Sequence, residues 1–162
     1  MVDTNFPDLL SALGNSGVEI ILVGGLAGMA HGASRATVDI DVVYRRTPEN
    51  VRRLVSCLTP LHPYLRGVPR GLPFRLDETT IDNGLNFTLV TDLGDLDLLG
   101  DVPGGGQYEN LLPHAQSLTL FGVDILCVTL EKLIYLKRAA GRPKDLEAIA
   151  ELELLLDERD RA

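Results

Sequence analysis

Asp39 and Asp41 stand two positions apart in an apolar run that extends to Tyr44. The run predicts a strand that starts near Val38. Side chains two positions apart in a strand point to the same face of the sheet, so the two carboxylates would lie side by side. Such a pair repels itself, and one member would take up a proton unless a cation binds between them. Because Mg²⁺ is held by one or two carboxylates together with substrate phosphates, the pair is a candidate metal site.

A second candidate binding element precedes the aspartates. Residues 18–23 form an apolar, β-branched run typical of a buried strand, and this run stops at Gly24 and Gly25. A short helix of small residues is predicted to follow, from Leu26 to about His31. A glycine pair that ends a strand and opens a helix leaves N–H groups free to bind an anion. The glycines therefore suit phosphate, and the aspartates suit metal.

The order of these elements resembles the nucleotidyltransferase superfamily that includes DNA polymerase beta. The fuller pattern GG-x-A-x-x-x-HG-x-x-R-x-T-x-DID is similar to its small bacterial branch, which contains antibiotic nucleotidyltransferases and nucleotidyltransferase toxins of toxin–antitoxin systems. Arg35 and Thr37, between the two motifs, make the match fairly specific. The resemblance covers most of the chain and is strongest from Val23 to Val43. Many members have Gly-Ser where this chain has Gly-Gly, which removes one hydroxyl contact to phosphate.

The resemblance implies a set of site residues. Gly24 and Gly25 would hold the β- and γ-phosphates of an NTP, and Asp39 and Asp41 would bind two Mg²⁺ (or Mn²⁺) ions. A third carboxylate would hold the second ion and help to deprotonate the acceptor hydroxyl. Arg35, Thr37 and Lys137 are the other residues implied to bind the nucleotide.

The third carboxylate comes from a predicted strand at 94–99, which follows another at 85–90. Asp95 and Asp97 share a face of that strand by the same period-two argument. Asp97 is the prediction, because Leu98 and Leu99 place it deeper in the sheet. Asp95 stays open, either as a rim residue or as the true third ligand.

Lys137 lies on the apolar stripe of a predicted helix that Thr129 caps and that ends at Ala140. A lysine on such a face either extends its amine to the edge or is held by an anion. Asp145, in the first turn of the last predicted helix, could cap that helix or pair with Lys137. A structural ion pair and a role at the site are both open. The resemblance favours a triphosphate role for Lys137.

Composition limits the class of protein. The chain has 162 residues, 45% of them hydrophobic and 23% charged, which indicates a globular domain. The net charge of −8 argues against broad affinity for nucleic acid. One segment is nevertheless rich in arginine, either a solvated face or a local surface for RNA. Its members are Arg45, Arg46, Arg52, Arg53, Arg66, Arg70 and Arg75.

The predicted fold class is α/β (α+β): a short mixed sheet flanked by helices, with a C-terminal helical hairpin. A single domain is expected over residues 1–162, with its core at 18–127 and its last helices at 129–157. The segments 61–76 and 100–117 are expected to be mostly loop.

The N-terminus lacks the pattern of a signal peptide, and no apolar run reaches the about 18 residues that span a bilayer. The two cysteines, Cys57 and Cys127, have the context of reduced core thiols. A cytoplasmic protein with no membrane partner is expected.

The predicted activity is metal-dependent transfer of an NMP from an NTP to a hydroxyl acceptor, which could be RNA, a small molecule or a protein. Under this hypothesis the protein could be the toxin of a toxin–antitoxin pair. A cognate antitoxin or a second copy of the chain, forming a homodimer, is therefore an expected partner. The rival hypothesis is a non-catalytic module that binds a nucleotide or a partner on the same fold. Three strand carboxylates favour the enzyme, since unused paired acids would destabilise the sheet.

Overall fold

A seven-stranded mixed sheet forms the centre of the structure, a computed structural model that describes residues 3–162. The strands are β1 Ile20–Val23, β2 Asp39–Tyr44, β3 Tyr64–Leu65, β4 Phe87–Thr91, β5 Gly94–Leu99, β6 Ala115–Leu120 and β7 Val123–Val128. Their order across the sheet is β3-β4-β5-β2-β1-β7-β6. The mixed α/β class predicted from the sequence is confirmed.

Within residues 3–162, seven α-helices pack on this sheet or connect its strands. They are α1 Phe6–Gly14, α2 Gly24–Ala30, α3 Pro48–Leu58, α4 Glu78–Asn83, α5 Tyr108–Leu111, α6 Leu130–Ala140 and α7 Pro143–Arg161, with short 3₁₀ turns at Thr59–Leu61 and Leu112–His114. Side chains of Asn5, Thr47 and Thr129 accept hydrogen bonds from the first turns of α1, α3 and α6. These caps satisfy backbone N–H groups that have no partner inside the helix, which fixes where each helix begins.

Strand β2 lies at the centre of the sheet, antiparallel to β1 and parallel to β5. Its buried apolar residues include Ile40 and Val42, whose side chains face away from those of Asp39 and Asp41. The parallel register with β5 sets Asp39 beside Asp95 and Asp41 beside Asp97. Four carboxylates therefore stand on one face of two adjacent strands.

Several segments differ from the sequence prediction. Helix α2 begins at Gly24 rather than at Leu26, so the glycine pair is the first part of the helix. The segment 61–76 contains the two-residue edge strand β3, and α4 follows it. The segment 100–117 contains α5. These elements are too short to show a periodic pattern in the sequence. Long-range pairing or a single helix cap determines where they form.

The last two helices form a packed pair, joined by Gly141 and Arg142, as predicted. Gly141 has the positive φ of 66° that ends α6. Helix α7 buries Asp145, Ile149 and Leu152 and extends to Arg161, beyond the predicted end at 157. None of the helices among residues 3–162 has the length and apolar character needed to cross a membrane.

Candidate active site

Three of the four strand carboxylates converge to a small cluster. One oxygen each of Asp39, Asp41 and Asp97 lies within 4.8 Å of the others, and all three side chains are partly buried. The strand register explains the convergence, because Asp41 and Asp97 are direct neighbours across β2 and β5. Asp95 is beside Asp39 in the register but is not part of this cluster. The geometry favours Asp97 over Asp95 as the third ligand of a metal.

Burial and the neighbouring acids together raise the pKa of Asp41 from 3.8 to about 8. Burial is the largest cause, followed by the negative charges of Asp39 and Asp97, and the positive charge of Lys137 opposes the shift. A carboxyl group in this state either keeps a proton at neutral pH or needs a cation beside it. The cluster therefore has the electrostatics of a cation site.

The backbone at the start of α2 lies against this cluster. Gly24 has a φ of 71°, and a Cβ atom there would overlap the Asp41 carboxylate. A Cβ at Gly25 would lie 2.8 Å from the Thr37 side chain, which is too close for any other residue. The Thr37 hydroxyl donates a hydrogen bond of 3.3 Å to Asp39 Oδ1. Both glycines are needed so that the helix start can approach the carboxylates closely.

Two adjoining clefts open beside the carboxylates. They have volumes of about 330 and 310 Å³ and share Gly24, Asp41, Lys137 and Arg142. The second cleft, here called the basic cleft, is lined by the start of α2, Thr37 and Asp39, and its cationic residues are Arg35, Lys137, Arg142 and Lys144. The first cleft has a more apolar wall from Leu99, Val102, Leu133 and Leu136.

Lys137, which lines both clefts, pairs with Asp145, which lines the first. The Lys137 Nζ lies 3.6 Å from Asp145 Oδ1, and the Asp145 side chain is only 1% exposed. Asp145 also accepts hydrogen bonds from the Arg142 backbone N–H, at 3.2 Å, and from its guanidinium, at 2.7 Å. Asp145 thus both caps α7 and pairs with Lys137, the two roles that the sequence left open. Lys137 is held at the site by a structural partner.

Arg35 lies at the rim of the basic cleft, where its Nη2 is 3.2 Å from Glu147 in an exposed ion pair. An exposed pair of this kind contributes little stability, so the guanidinium can turn to an anion at low cost. His31, within the GG-to-DID pattern, donates from Nε2 to the Val128 carbonyl at 2.7 Å. That bond gives His31 a packing role.

Sequence reasoning missed the contact between Arg66 and the carboxylates. Arg66 Nη2 lies 2.9 Å from Asp97 Oδ1, and its Nε lies 3.3 Å from Asp95 Oδ2. Arg66 appeared in the sequence only as one of seven arginines between 45 and 75. No local signal marks it, because it approaches the aspartates from just beyond the edge strand β3, which β4 separates from β5.

The other arginines of that segment are partly neutralised by acids. Arg45 pairs with Glu19 and Glu109, each at 3.1 Å, and Arg53 pairs with Glu49 at 2.6 Å. These ion pairs reduce the positive charge that the segment offers to an RNA backbone.

The residues of the cluster fit a hard divalent cation. Mg²⁺ and Mn²⁺ prefer carboxylate oxygens, and three of them converge here from two rigid strands. Arg66 does not take the place of such a cation, because its fit to the acids is incomplete: its buried Nε has no hydrogen-bond partner. A bound cation would also relieve the repulsion that raises the pKa of Asp41.

Comparisons with known proteins identify the fold that carries these residues. No family model matches the chain, and no curated protein matches its sequence. TM1012 from Thermotoga maritima, provisionally assigned as a nucleotidyltransferase, is 17% identical, with a TM-score of 0.54 over 93% of this chain and 89% of its own. ANT(2″)-Ia in complex with adenylyl-2″-tobramycin is 16% identical, with a TM-score of 0.53 over 94% of each chain.

At these identities the comparisons speak to fold. The chain is a small protein of the nucleotidyltransferase fold, which confirms the resemblance drawn from the GG-to-DID pattern.

Proposed function

We propose that the protein is a metal-dependent nucleotidyltransferase that moves an NMP from an NTP to a hydroxyl group of an acceptor. The observation that carries the proposal is the convergence of Asp39, Asp41 and Asp97 within 4.8 Å beside a basic cleft. An isolated acidic cluster or an isolated basic cleft would be ordinary. Their contact at the start of α2 brings a metal-binding group and a polyphosphate-binding group to one point.

Mg²⁺ or Mn²⁺ bound at the cluster would supply Lewis-acid stabilisation of the attacking and leaving oxygens. The chain's own residues have separate tasks. The free N–H groups at Gly24 and Gly25 bind the β- and γ-phosphates, and Thr37 holds the Asp39 carboxylate in place. Lys137 and Arg35 neutralise the charge of the departing pyrophosphate. Asp97 accepts the proton of the acceptor hydroxyl, which leaves the oxygen free to attack the α-phosphorus.

The acceptor is tested with three arms. The purified protein is incubated with each α-labelled NTP and Mg²⁺ or Mn²⁺, together with total RNA, with lysate protein, or with small polyhydroxylated amines. The small-molecule arm comes first, because the net charge of −8 disfavours an RNA acceptor. Acids also pair with Arg45 and Arg53 of the arginine-rich segment. Label on RNA would instead support the toxin form of the proposal and the search for a cognate antitoxin.

The control for all arms is the double variant Asp39→Ala/Asp41→Ala. Transfer should fall by about 1,000-fold or more in this variant, because metal stabilisation of the transition state is worth several kcal/mol. Label that persists in the double variant would contradict the proposal. Binding of NTP without transfer to any acceptor would support the rival, a non-catalytic nucleotide-binding module.

A further inference from the structure

Arg66 follows directly after β3, the two-residue strand at the edge of the sheet. Its backbone N–H donates to the Thr88 carbonyl at 2.9 Å, and this hydrogen bond holds the Arg66 backbone beside β4. From there the side chain reaches the carboxylates of β2 and β5. Only 28% of the side chain is exposed, so it is covered where it meets the acids.

The guanidinium is shared among three carboxylates. Nη2 is 2.9 Å from Asp97 Oδ1, Nε is 3.3 Å from Asp95 Oδ2, and Nη1 is 3.8 Å from Asp39 Oδ2. Two of these acids, Asp39 and Asp97, belong to the cluster proposed to bind metal. Asp95 does not.

The fit of this arginine is incomplete. Arginine normally meets a carboxylate with two parallel hydrogen bonds. Here one directed bond goes to Asp97, a second goes to the Leu89 carbonyl at 2.8 Å, and the buried Nε has no hydrogen-bond partner. An arginine optimised as a fixed structural pair would satisfy that atom. The arrangement is instead that of a counter-ion, which offsets the negative charge of the acids but does not satisfy their hydrogen-bonding capacity.

We propose that Arg66 is a displaceable counter-ion that sets the divalent-metal affinity of the carboxylate cluster. The inference rests on the proposed function for the identity of the site. A guanidinium and a divalent cation compete for the oxygens of Asp39 and Asp97. When metal binds, Arg66 withdraws from both and stays on Asp95, the carboxylate outside the cluster. Arg66 is thus a positioning residue, and Asp95 is its retained partner.

The surrounding loop does not depend on this contact. The Tyr64 hydroxyl lies 2.6 Å from the Pro69 carbonyl and 2.7 Å from the Leu72 carbonyl, which ties the loop to β3. Arg70 stacks on the Tyr64 ring at 4.9 Å. Replacement of Arg66 should therefore leave the fold intact, and Arg70 is a matched control in the same loop.

The test measures binding of Mn²⁺ alone to the full, nucleotide-free chain, from the loss of the free Mn²⁺ electron paramagnetic resonance signal. Arg66→Gln should bind Mn²⁺ about tenfold more tightly than the wild type, because the cation that competes for the oxygens of Asp39 and Asp97 is removed. Arg66→Lys should fall between the two. Arg70→Gln should match the wild type.

A double-mutant cycle separates displacement from simple charge removal. Asp95→Asn should weaken Mn²⁺ binding in the wild type, since Arg66 loses the partner that holds it away from the cluster. The same substitution should have a several-fold smaller effect in the Arg66→Gln background. Equal effects in both backgrounds would overturn the inference, as would an Mn²⁺ affinity unchanged or lowered in Arg66→Gln.

Failure of this inference is distinguishable from failure of the proposed function. Metal-dependent NMP transfer with unaltered Mn²⁺ affinity in Arg66→Gln would overturn the role of Arg66 and leave the function standing. Tighter Mn²⁺ binding by Arg66→Gln, with no transfer from any NTP, would support the role of Arg66 and count against the function. No Mn²⁺ binding by any of the proteins would overturn the inference.

Discussion

Asp41 and Asp145 line the same cleft and both lie near Lys137, yet the protein treats their charges in opposite ways. The pKa of Asp41 is raised to about 8, by burial and by two neighbouring acids. Burial also acts to raise the pKa of Asp145, but hydrogen bonds from Arg142 and the charges of Arg142 and Lys137 bring it below its usual value. The Asp41 carboxylate lacks enough positive charge around it, whereas the Asp145 carboxylate has two cations beside it.

The difference separates an acid with a structural role from one that the proposed function assigns to metal binding. Asp145 has its cations and donors built in, so it stabilises the joint between α6 and α7. Asp41 has other acids as its nearest partners, which is a cost that folding alone does not require. Such a cluster of unneutralised acids supports the proposed binding of a cation together with the nucleotide.

The largest expected effect comes from Asp41→Asn, which removes the unfavourable charge and a metal ligand together. Transfer should fall by about 1,000-fold, because the metal's stabilisation of the transition state is worth several kcal/mol. The metal-free protein should nevertheless become more stable at pH 8, by about 3 kcal/mol, because the variant has no carboxylate that must ionise in the folded state. Transfer rates and urea unfolding in EDTA measure the two effects.

The matched control for Asp41→Asn is Asp157→Asn, at an exposed position of α7. This variant should change neither transfer nor stability. An Asp41→Asn protein less stable than the wild type in EDTA would contradict the contrast between the two acids.

Asp145→Ala tests the structural side of the comparison. This variant should lose about 3 kcal/mol of unfolding free energy, because it leaves Lys137 without its buried partner and α7 without its cap. The expected loss is at the lower end for buried pairs, since the Arg142 side chain is 59% exposed. Urea denaturation of Asp145→Ala beside Asp157→Ala measures it, and equal stabilities would show that Asp145 is dispensable.

The pH dependence of stability sharpens the comparison further. Because the pKa of Asp41 is about 8 when folded and 3.8 ordinarily, the folded state holds more protons between these values. Unfolding free energy of the metal-free protein should therefore fall as pH rises from 5 to 8, by about 1 kcal/mol per pH unit from this group, and level off above pH 8.

Asp41→Asn serves as the reference for that slope, because other groups titrate over the same range. The difference between wild type and variant should grow as pH rises. Saturating Mn²⁺ should remove the fall in the wild type, since the metal replaces the proton. A difference that does not change with pH would show that Asp41 is ionised throughout.

Elements with local signals were predictable from the sequence. The cap at Thr129 and the C-terminal Gly141 define α6 to the residue, since both act within one turn of the helix. The period-two spacing of Asp39 and Asp41 places them on one face, because alternation is a property of any strand. The fold was predicted from the resemblance that the GG-to-DID pattern carries, and the structural neighbours confirm it.

Features that depend on distant pairing were not predictable. The sequence favoured Asp97 and left Asp95 open, because the convergence of Asp97 with Asp39 and Asp41 depends on how β5 pairs with β2, which no single strand encodes. Arg66 reaches the carboxylates from just after β3, a two-residue strand within the segment predicted as loop, where β4 supplies the pairing. The near-complete burial of Asp145 depends on how α7 packs against its neighbours.

The most direct test of the central claim compares two labels of the same nucleotide. The protein is incubated with Mg²⁺ or Mn²⁺ and a cell lysate that supplies RNA, protein and small molecules, once with α-labelled and once with γ-labelled NTP. We expect label on an acceptor from the α-position only, and its loss in Asp39→Ala/Asp41→Ala. Transfer of the γ-label, or α-label that survives in the double variant, would contradict it.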